Sequence, residues 1–362
     1  MMARLGDICT VVSGSTPKSV VPEYWDGDVK WITPAELDDD SYIISDSVRH
    51  ITTLGVTKTG LKPFPAGTVI LSSRAPIGKT AIAGCEMYCN QGFKNLVCSN
   101  NIDSKYLYFF LSSKRDYLNS LGRGATFKEI SKTIVENIEI PLPEMAEQKA
   151  ITTRFENLMK LIQLRKTELE KLDQLVKSRF IELFIGKGYS TKTIDEVSLG
   201  KGEYGAQSAS IEYDPTRPRY VRITDINDDG TLNDDVVASI NPDDDEQYRL
   251  EYGDFLFARM GATVGKTFAF IAGNQIFAGY LIRYKLNQKL INPRYLFWYT
   301  KLDEYWNWVK LNQSGAAQPG INAKKYGSLR IPVPPVAEQE QFAAFVERTD
   351  KSKLCGEMGV AA

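Results

Sequence analysis

The stretch IPLPEMAEQ, residues Ile140–Gln148, returns as IPVPPVAEQ at Ile331–Gln339, with six of nine positions identical at a displacement of 191 residues. A second match, Gly78-Lys79-Thr80 with Gly265-Lys266-Thr267, lies at a displacement of 187. An ordered series of such matches indicates a tandem duplication, and internal repeats decide the architecture of a protein. The 362 residues are therefore predicted to form two similar domains, each large enough to bury its own core.

Each repeat has the same internal order. It opens with a mixed segment rich in turn residues, in which short apolar runs such as Thr68–Leu71 and Asp254–Phe257 are predicted strands. The aromatic-rich stretches Tyr106–Leu118 and Tyr295–Val309 are predicted helices. The predicted fold class is α+β, with two similar mixed α/β domains separated by long helices of the coiled-coil type.

A long helix follows the first repeated motif. Pro143 and Glu144 suit its first turn, and Gly186 and Gly188 suit its end. Apolar residues recur between these points at steps of four and three, which is the a/d stripe of a coiled coil. The stripe positions are Ile151, Phe155, Leu158, Ile162, Arg165, Leu169, Leu172, Val176, Arg179 and Leu183. A helix of about 40 residues measures on the order of 60 Å, and its apolar stripe needs a partner in water.

The matching helix after the second repeat is the natural partner. It is predicted to start near Ala337, and Phe342 and Val346 continue the stripe before Thr349 and Lys353 interrupt it. At roughly 18 residues this helix is short, under about 30 Å. We expect either that another chain covers the rest of the central helix or that the native tail has been cut or altered. The predicted boundaries are 1–143 and 186–334 for the domains, 144–185 for the central helix and 335–362 for the distal helix.

Composition excludes several classes of enzyme. His50 is the only histidine, so histidine-ligated metal clusters and Ser-His-Asp chemistry are not expected, and the net charge of -1 predicts no partner. The odd number of cysteines, five, suits reduced thiols of a cytosol, and Cys85, Cys89 and Cys98 lack the tight pairing of a zinc site. No secretory segment or bilayer-spanning run is expected from the apolar stretches of the sequence. A cytoplasmic protein without membrane contact is therefore expected.

Tandem domains that each end in IP-x-P-x-x-AEQ and run into a long helix resemble the specificity (S) subunits of type I restriction–modification systems. The opening residues Leu5-Gly6-Asp7-Ile8 and Ser13-Gly14-Ser15-Thr16-Pro17 are similar to the start of the first target-recognition domain of that family. The resemblance implies two target-recognition domains related by a pseudo-twofold axis, with the two helices packed antiparallel.

The resemblance also implies a function. It describes a non-catalytic, sequence-specific DNA-binding subunit that docks two methyltransferase (M) subunits and, through the assembly, restriction (R) subunits. S-adenosylmethionine, ATP and Mg are then expected only on those partners, and the chain itself is expected to hold no cofactor and no metal. The unpaired part of the central helix leaves self-association open.

A duplicated reader has a physical consequence of its own. Two readers on a stiff helix contact two short half-sites separated by DNA that neither reads, as a dimeric repressor does on its operator. Because the two repeats differ in sequence, the target in double-stranded DNA is predicted to be bipartite and asymmetric. The alternative is a coiled-coil adaptor with two protein-binding domains and no nucleic-acid role.

The segments Ser72–Thr80 and Ala258–Thr267 are the strongest candidates for DNA contact, because each carries an arginine and a Gly-Lys-Thr triplet in a predicted loop after a strand. Arg reads guanine, Asn or Gln reads adenine, and Lys, Ser and Thr anchor phosphates. A structural hairpin with solvated charges is the alternative. The triplets resemble the end of a P-loop, but Ser73 and Met260 stand where its first glycine belongs, so nucleotide hydrolysis is not expected.

Three further pairs of segments are weaker candidates, with a fold-stabilising turn or strand as the alternative: Gly122–Lys128 with Asn312–Gln318, Asn90–Lys94 with Ala278–Tyr280, and Trp31–Thr33 with Arg222–Thr224. The predicted DNA-binding residues are Ser15, Thr16, Thr33, Ser73, Arg74, Lys79, Asn90, Gln91, Arg123, Lys128, Arg222, Thr224, Arg259, Lys266, Tyr280, Ser314 and Gln318. The predicted helix-packing residues are Ile151, Phe155, Leu158, Ile162, Leu169, Leu172, Val176, Leu183, Phe342 and Val346. The acidic runs at 38–40, 228–229 and 243–246 are expected to be solvated loops turned away from DNA.

Overall fold

The computed structural model describes residues 1–74, 76–124, 128–241, 246–315 and 319–358, with side chains described as far as residue 350. The chain forms two compact units, Met1–Gln163 and Leu164–Ala362. Each unit is a mixed α+β structure with several small sheets, and a helix of 40 residues joins them. The prediction of two similar mixed domains joined by a long helix is confirmed.

The described residues of the first unit form ten strands in three sheets, with the orders β2-β9-β6-β7-β4, β5-β3-β8 and β1-β10. The strands are β1 (Met2–Arg4), β2 (Cys9–Val12), β3 (Trp25–Ile32), β4 (Ile43–Ile44), β5 (Arg49–Ile51), β6 (Val69–Leu71), β7 (Thr80–Ala83), β8 (Tyr88–Cys89), β9 (Asn95–Cys98) and β10 (Glu139–Pro141). The helices are α1 (Leu5–Ile8), α2 (Thr53–Thr59), α3 (Ser104–Ser112), α4 (Arg115–Ser120), α5 (Lys132–Glu136) and α6 (Met145–Phe184), which continues into the second unit.

The second unit repeats this plan in sheets of the orders β12-β19-β16-β17, β13-β15-β14-β18 and β11-β20. Its strands are β11 (Thr191–Thr193), β12 (Glu203–Tyr204), β13 (Ile211–Glu212), β14 (Arg219–Val221), β15 (Ala238–Ser239), β16 (Asp254–Ala258), β17 (Thr267–Ala269), β18 (Gln275–Phe277), β19 (Leu281–Lys285) and β20 (Arg330–Pro332). Its helices are α7 (Pro293–Tyr299), α8 (Asp303–Asn312), α9 (Ala323–Gly327) and α10 (Val336–Met358).

The strand registers correct one of the sequence matches. In the first unit β3 runs parallel to β8 with Ile32 opposite Cys89, and in the second β14 runs parallel to β18 with Val221 opposite Phe277. Ile32 therefore corresponds to Val221, and Thr33 to Arg222, so the match of Ile32-Thr33 with Ile223-Thr224 was wrong by two residues. The match rested on the identity of the two Ile-Thr pairs. Strand register depends instead on pairing across the sheet, which sequence identity does not reveal.

Each predicted aromatic helix is two helices in the structure. The stretch from Tyr106 divides into α3 and α4, and the stretch from Tyr295 divides into α7 and α8. At the first break the Ser113 hydroxyl donates to Phe110 O at 2.8 Å, and at the second the Thr300 hydroxyl donates to Phe297 O at 2.7 Å. Such hydroxyls compete for helix carbonyls, which favours an end to the helix at that point.

The buried face of α6 differs from the predicted stripe near the end of the helix. Val176, Phe180 and Phe184 are each 2% exposed or less and belong to the main core of the second unit, together with Phe342 and Val346 of α10. Phe180 stacks on Tyr295 with ring centroids 5.1 Å apart. Successive steps of four thus replace the predicted step from Val176 to Arg179. Prediction of a stripe position at Arg179 was wrong: this side chain is exposed and paired with Glu182 at 2.8 Å.

The earlier part of α6 packs against the first unit through fewer residues. Phe155 stacks on Phe109 of α3 at 4.9 Å, and Glu156 accepts hydrogen bonds from Tyr42 Oη at 2.8 Å and from Lys105 Nζ at 2.6 Å. Among the remaining predicted packing residues, the half-buried ones are Ile151, Leu169, Leu172 and Leu183. The exposed ones are Leu158 and Ile162. The distal helix α10 has 23 residues, longer than the predicted 18 and shorter than α6.

Candidate nucleic-acid interface

Backbone hydrogen bonds bring most of the predicted DNA-binding segments together in the first unit. Ser15 N donates to Cys89 O at 3.1 Å, and Asn90 N donates to Ile32 O at 3.1 Å. The segment 13–16, the end of β3 and the residues after β8 therefore meet at one place. The second unit has the same pair of bonds, from Ala206 N to Phe277 O and from Ala278 N to Val221 O, each at 2.9 Å.

Two glycines permit this close approach. A Cβ placed on Gly14 would lie 1.8 Å from Cys89 O, and one placed on Gly205 would lie 2.4 Å from Phe277 O. Gly14 and Gly205 stand 191 residues apart, the displacement of the repeated nonapeptide. That match was available in the sequence, and it places Gln207 at the position of Thr16, a correspondence that the sequence reasoning missed.

The segments after β6 and β16 join the same surface. Ser73 N donates to Gly92 O at 2.8 Å and Ser73 O accepts from Ile130 N at 3.0 Å. Arg259 makes the equivalent bonds, with Tyr280 O and with Ile321 N, each at 3.0 Å. Arg259 therefore corresponds to Ser73, and the two arginines of these segments are not equivalent, because Arg74 corresponds to Met260.

The last candidate loop of each unit closes beside this segment. Arg123 pairs with Glu129 and Ser314 pairs with Gly320 as isolated bridges, and Glu129 and Gly320 also bridge to Arg74 and Met260 respectively. Arg123, Lys128 and Ser314 are exposed. The loop tips at 125–127 and 316–318 lie outside the described residues, and predicted contact residue Gln318 is among them.

The Gly-Lys-Thr triplets have a structural role in both units. Gly78 and Gly265 adopt φ values of 90° and 91°, a region that favours glycine. The threonine hydroxyls bond to hydroxyls at the end of the following helix: Thr80 Oγ1 and Ser112 Oγ lie 2.7 Å apart, and Thr267 Oγ1 and Thr300 Oγ1 lie 2.8 Å apart. These contacts favour the structural-hairpin alternative for the triplets.

The two lysines of the triplets are occupied by neighbouring loops. Lys79 Nζ donates to Leu37 O, and Lys266 Nζ lies 2.8 Å from Asp228 Oδ1 and donates to Ile226 O at 3.3 Å. The hydrogen bond from Lys266 lowers the pKa of the exposed Asp228 carboxyl. The predicted phosphate contact by Lys79 and Lys266 therefore has little support in the geometry.

Four more predicted contact residues are buried or bonded to acidic side chains. Ser73 is fully buried, so its side chain cannot reach DNA in this structure and the prediction there is corrected. Arg74 Nη1 lies 3.9 Å from Glu129. Arg222 pairs with Asp225 at 2.9 Å, in a capping arrangement shared with Thr33 and Glu36 of the first unit. Thr224, although exposed, also donates to Asp225, at 3.2 Å.

The remaining predicted residues lie at the surface to different extents: Thr16, Gln91 and Tyr280 are exposed, and Ser15, Asn90 and Arg259 are half-buried. In the first unit the Thr16 hydroxyl donates to Gln91 Oε1 at 2.6 Å, and Asn90 Oδ1 accepts from Gly92 N at 2.8 Å. In the second unit the Arg259 guanidinium lies over the rings of Tyr204 and Tyr280, at 4.9 and 5.7 Å. Tyr204 was not predicted from the sequence, because β12, on which it lies, is only two residues long.

The described residues include no helix that is both long and apolar enough to cross a membrane. Among these residues no group of three or more His, Cys, Asp and Glu side chains could hold a metal ion. The four described cysteines are free, and burial raises the pKa of the Cys89 thiol to about 12. Cys355 lies beyond the described side chains.

Duplicated α+β units with exposed polar loops at equivalent places define the general class, a tandem recognition protein. The family model described as "Type I restriction modification DNA specificity domain" matches residues 1–174 and 187–355, and the chain belongs to this family. It is a specificity subunit, the non-catalytic component that recognises the target sequence in a type I restriction–modification complex. The resemblance noted in the sequence is confirmed.

Known relatives support the assignment over most of the chain. The MjaIX specificity subunit of Methanocaldococcus jannaschii is 26% identical over 95% of this chain and 85% of its own length. The EcoKI specificity subunit of Escherichia coli K12 is 24% identical over 81% of this chain and 69% of its own length.

Two solved structures share the fold over the whole chain and 92% of their own lengths. One, from work on complex assembly and conformational transition of the type I restriction–modification system, has a TM-score of 0.61 at 19% identity. The other is the S subunit from M. genitalium, with a TM-score of 0.54 at 15% identity.

Proposed function

We propose that each unit reads one half-site of double-stranded DNA and that the two half-sites differ, so that the whole target is bipartite and asymmetric. The observation that carries this proposal is a common backbone frame with unlike side chains. Thr16 and Gln207 occupy equivalent places, as do Gln91 and Gly279, and Ser73 and Arg259. Base edges are distinguished by the donors and acceptors of side chains, so different side chains on one frame select different bases.

Methylation and cleavage are the work of partner subunits in this proposal. Two methyltransferase subunits bind S-adenosylmethionine, and restriction subunits use ATP and Mg. The specificity chain directs both kinds of subunit to one DNA sequence, and the whole assembly acts in the cytoplasm. The family membership of the chain supports this division.

The partner surface that we propose in the first unit lies on α6. Leu158, Leu161 and Ile162 are 46, 61 and 37% exposed there. Because exposed apolar surface is unfavourable in water, such a patch is typical of a site that another chain covers. Leu161→Glu should abolish co-purification with the methyltransferase subunit and leave the unfolding midpoint unchanged. Undiminished co-purification would contradict docking at this surface, and a dimer of the isolated chain that Leu161→Glu dissociates would favour self-association instead.

The test of the whole proposal is the methylation pattern of a host that expresses the full chain with its methyltransferase partner. We expect two short unlike half-sites separated by unread positions. A palindromic or uninterrupted motif would contradict the proposal. No methylation, together with no retention of random-sequence duplex in a gel shift, would favour the adaptor alternative.

One substitution assigns a half-site to a unit. Gln91→Ala in the first unit should relax one position of a single half-site and leave the other half-site unchanged. Relaxation in both half-sites would contradict one reader per unit.

A further inference from the structure

Four side chains of the second unit converge on Gly279. Arg259 Nε donates to Gly279 O at 3.1 Å, and the Arg259 guanidinium lies over the rings of Tyr204 and Tyr280. The Gln207 amide covers the glycine itself, because a Cβ placed on Gly279 would lie 2.1 Å from Gln207 Nε2. We call Tyr204, Gln207, Arg259, Gly279 and Tyr280 the Gly279 cluster.

The backbone holds the three segments of this cluster in register. Gly279 N donates to Ala206 O at 2.7 Å, and Arg259 N donates to Tyr280 O at 3.0 Å. Gln207 Nε2 adds a weaker bond to Gly205 O at 3.3 Å. The side chains therefore project from a frame that is bonded on both sides, which reduces the conformational entropy that they lose on binding a ligand.

The positive charge of Arg259 is not neutralised by a described carboxylate. Most other arginines between residues 186 and 334 have a carboxylate oxygen within the distance of an ion pair: Arg217, Arg219, Arg222, Arg249, Arg283 and Arg294. Arg259 instead meets two tyrosine rings, which attract a cation without accepting its N–H hydrogens in a directed bond. Its Nε is the guanidinium nitrogen with an acceptor among the described residues, so the Nη1 and Nη2 edge is available to a ligand.

The cluster also reaches solvent. Tyr204 is 41% exposed, Tyr280 is 54% exposed and Gln207 is exposed. An arginine fork and a glutamine amide side by side offer the two bidentate pairings of the major groove, Arg with guanine and Gln with adenine. The first unit has a buried serine, Ser73, in place of the arginine.

We propose that the Gly279 cluster determines part of the half-site of the second unit, with Arg259 reading a guanine and Gln207 reading an adenine. Tyr204 and Tyr280 are positioning residues that hold the guanidinium plane. Gly279 is required because any side chain there displaces Gln207. This inference rests on the proposed reading of DNA by each unit.

The experiment compares methylomes of hosts that express the full chain, or a variant, with the methyltransferase partner. Gln207→Ala and Gly279→Ala should relax the same single adenine position, although Gly279→Ala removes no functional group. Arg259→Lys keeps the charge and loses the fork, so discrimination at one guanine position should fall about tenfold or more. Gly200→Ala is the matched glycine control, because a Cβ there meets nothing within 4 Å.

The positioning role has its own readout. Tyr204→Leu should relax the guanine position, and Tyr204→Phe should restore it because the ring face is retained. Equal relaxation by both variants would contradict a role for the ring.

The results distinguish the reading of DNA by each unit from the role of the Gly279 cluster. Absence of a bipartite motif with the parent chain would overturn the proposed function. A bipartite parental motif that survives Gln207→Ala, Gly279→Ala and Arg259→Lys unchanged would overturn only the inference. Uniform weakening at all positions by Arg259→Lys would assign the guanidinium to a phosphate and would also overturn it. Unfolding midpoints of the variants check that each chain remains folded.

Discussion

Gln148 and Gln339 make the same three hydrogen bonds in their two units. Gln148 Oε1 accepts from Asp103 N at 2.9 Å, and its Nε2 donates to Asn101 O and Pro143 O. Gln339 Oε1 accepts from Asn292 N at 2.8 Å, and its Nε2 donates to Leu290 O and Pro334 O. Both side chains are fully buried. The glutamine of the repeated motif thus ties the start of α6 or α10 to the loop before an aromatic helix.

Replacement of this glutamine should destabilise its unit. Gln339→Leu leaves a buried N–H and two carbonyls without partners, which costs about 1–3 kcal/mol for each unsatisfied group. The urea midpoint of unfolding is the measurement. Gln341→Leu, two residues along the same helix and exposed, is the matched control and should change the midpoint little. Equal midpoints for the two variants would refute the anchoring role.

The corrected register of α6 predicts unequal costs for neighbouring residues. Phe180→Ala removes a fully buried ring from the core of the second unit and should cost about 3–5 kcal/mol. Arg179→Ala breaks only an exposed ion pair and should cost less than about 1 kcal/mol. Equilibrium unfolding of the two variants measures the difference. A larger loss of stability for Arg179→Ala would support the predicted packing position at Arg179 and contradict the corrected register.

Lys79 and Lys128 are both predicted DNA contacts, but their replacement should affect DNA binding differently. Lys128→Met removes an exposed lysine of a candidate loop and should lower the salt slope of duplex binding by about one. Lys79→Met should leave that slope unchanged and should cost about 1 kcal/mol of stability, because Leu37 O loses its donor. Titrations of the full chain with duplex at several salt concentrations measure the slopes. A lower slope for Lys79→Met would favour the DNA-facing interpretation of the triplet.

Buried tyrosines should make the second unit sensitive to alkali. Burial, with a smaller effect of Glu304, raises the pKa of Tyr299 above its usual value. The folded chain therefore keeps the phenol proton at a pH of about 10, where the unfolded chain loses it. The stability from this group is fully present below that pH and is lost as the pH rises further. The loss amounts to about 1.4 kcal/mol per pH unit.

Tyr299→Phe removes this contribution. The unfolding free energy of the variant should therefore fall less steeply than that of the parent between pH 9 and 11, on the scale of about one proton. Exposed Tyr252→Phe is the control, and its curve should run parallel to the parental one. Parallel curves for Tyr299→Phe and the parent would contradict the assignment.

The duplication, the long helix and the family were all predictable, because they depend on order and periodicity along the chain. The side-chain roles were less so. Gly-Lys-Thr is identical in the two repeats, which suggested a common ligand, yet its lysine and threonine contact loops and helix ends of their own unit. Identity between repeats reflects a shared fold requirement as readily as a shared function.

The sequence by itself determined that this protein is a tandem pair of mixed units with a long amphipathic helix between repeats, since repeats and periods of 3.6 residues are properties of the chain alone. Only the tertiary structure decided that Arg259 corresponds to buried Ser73 and that Gln207 lies on Gly279. These relationships join residues more than 70 positions apart, and they depend on strand register and on the space that a glycine leaves open. Neither the strand register nor this space can be predicted from the local sequence.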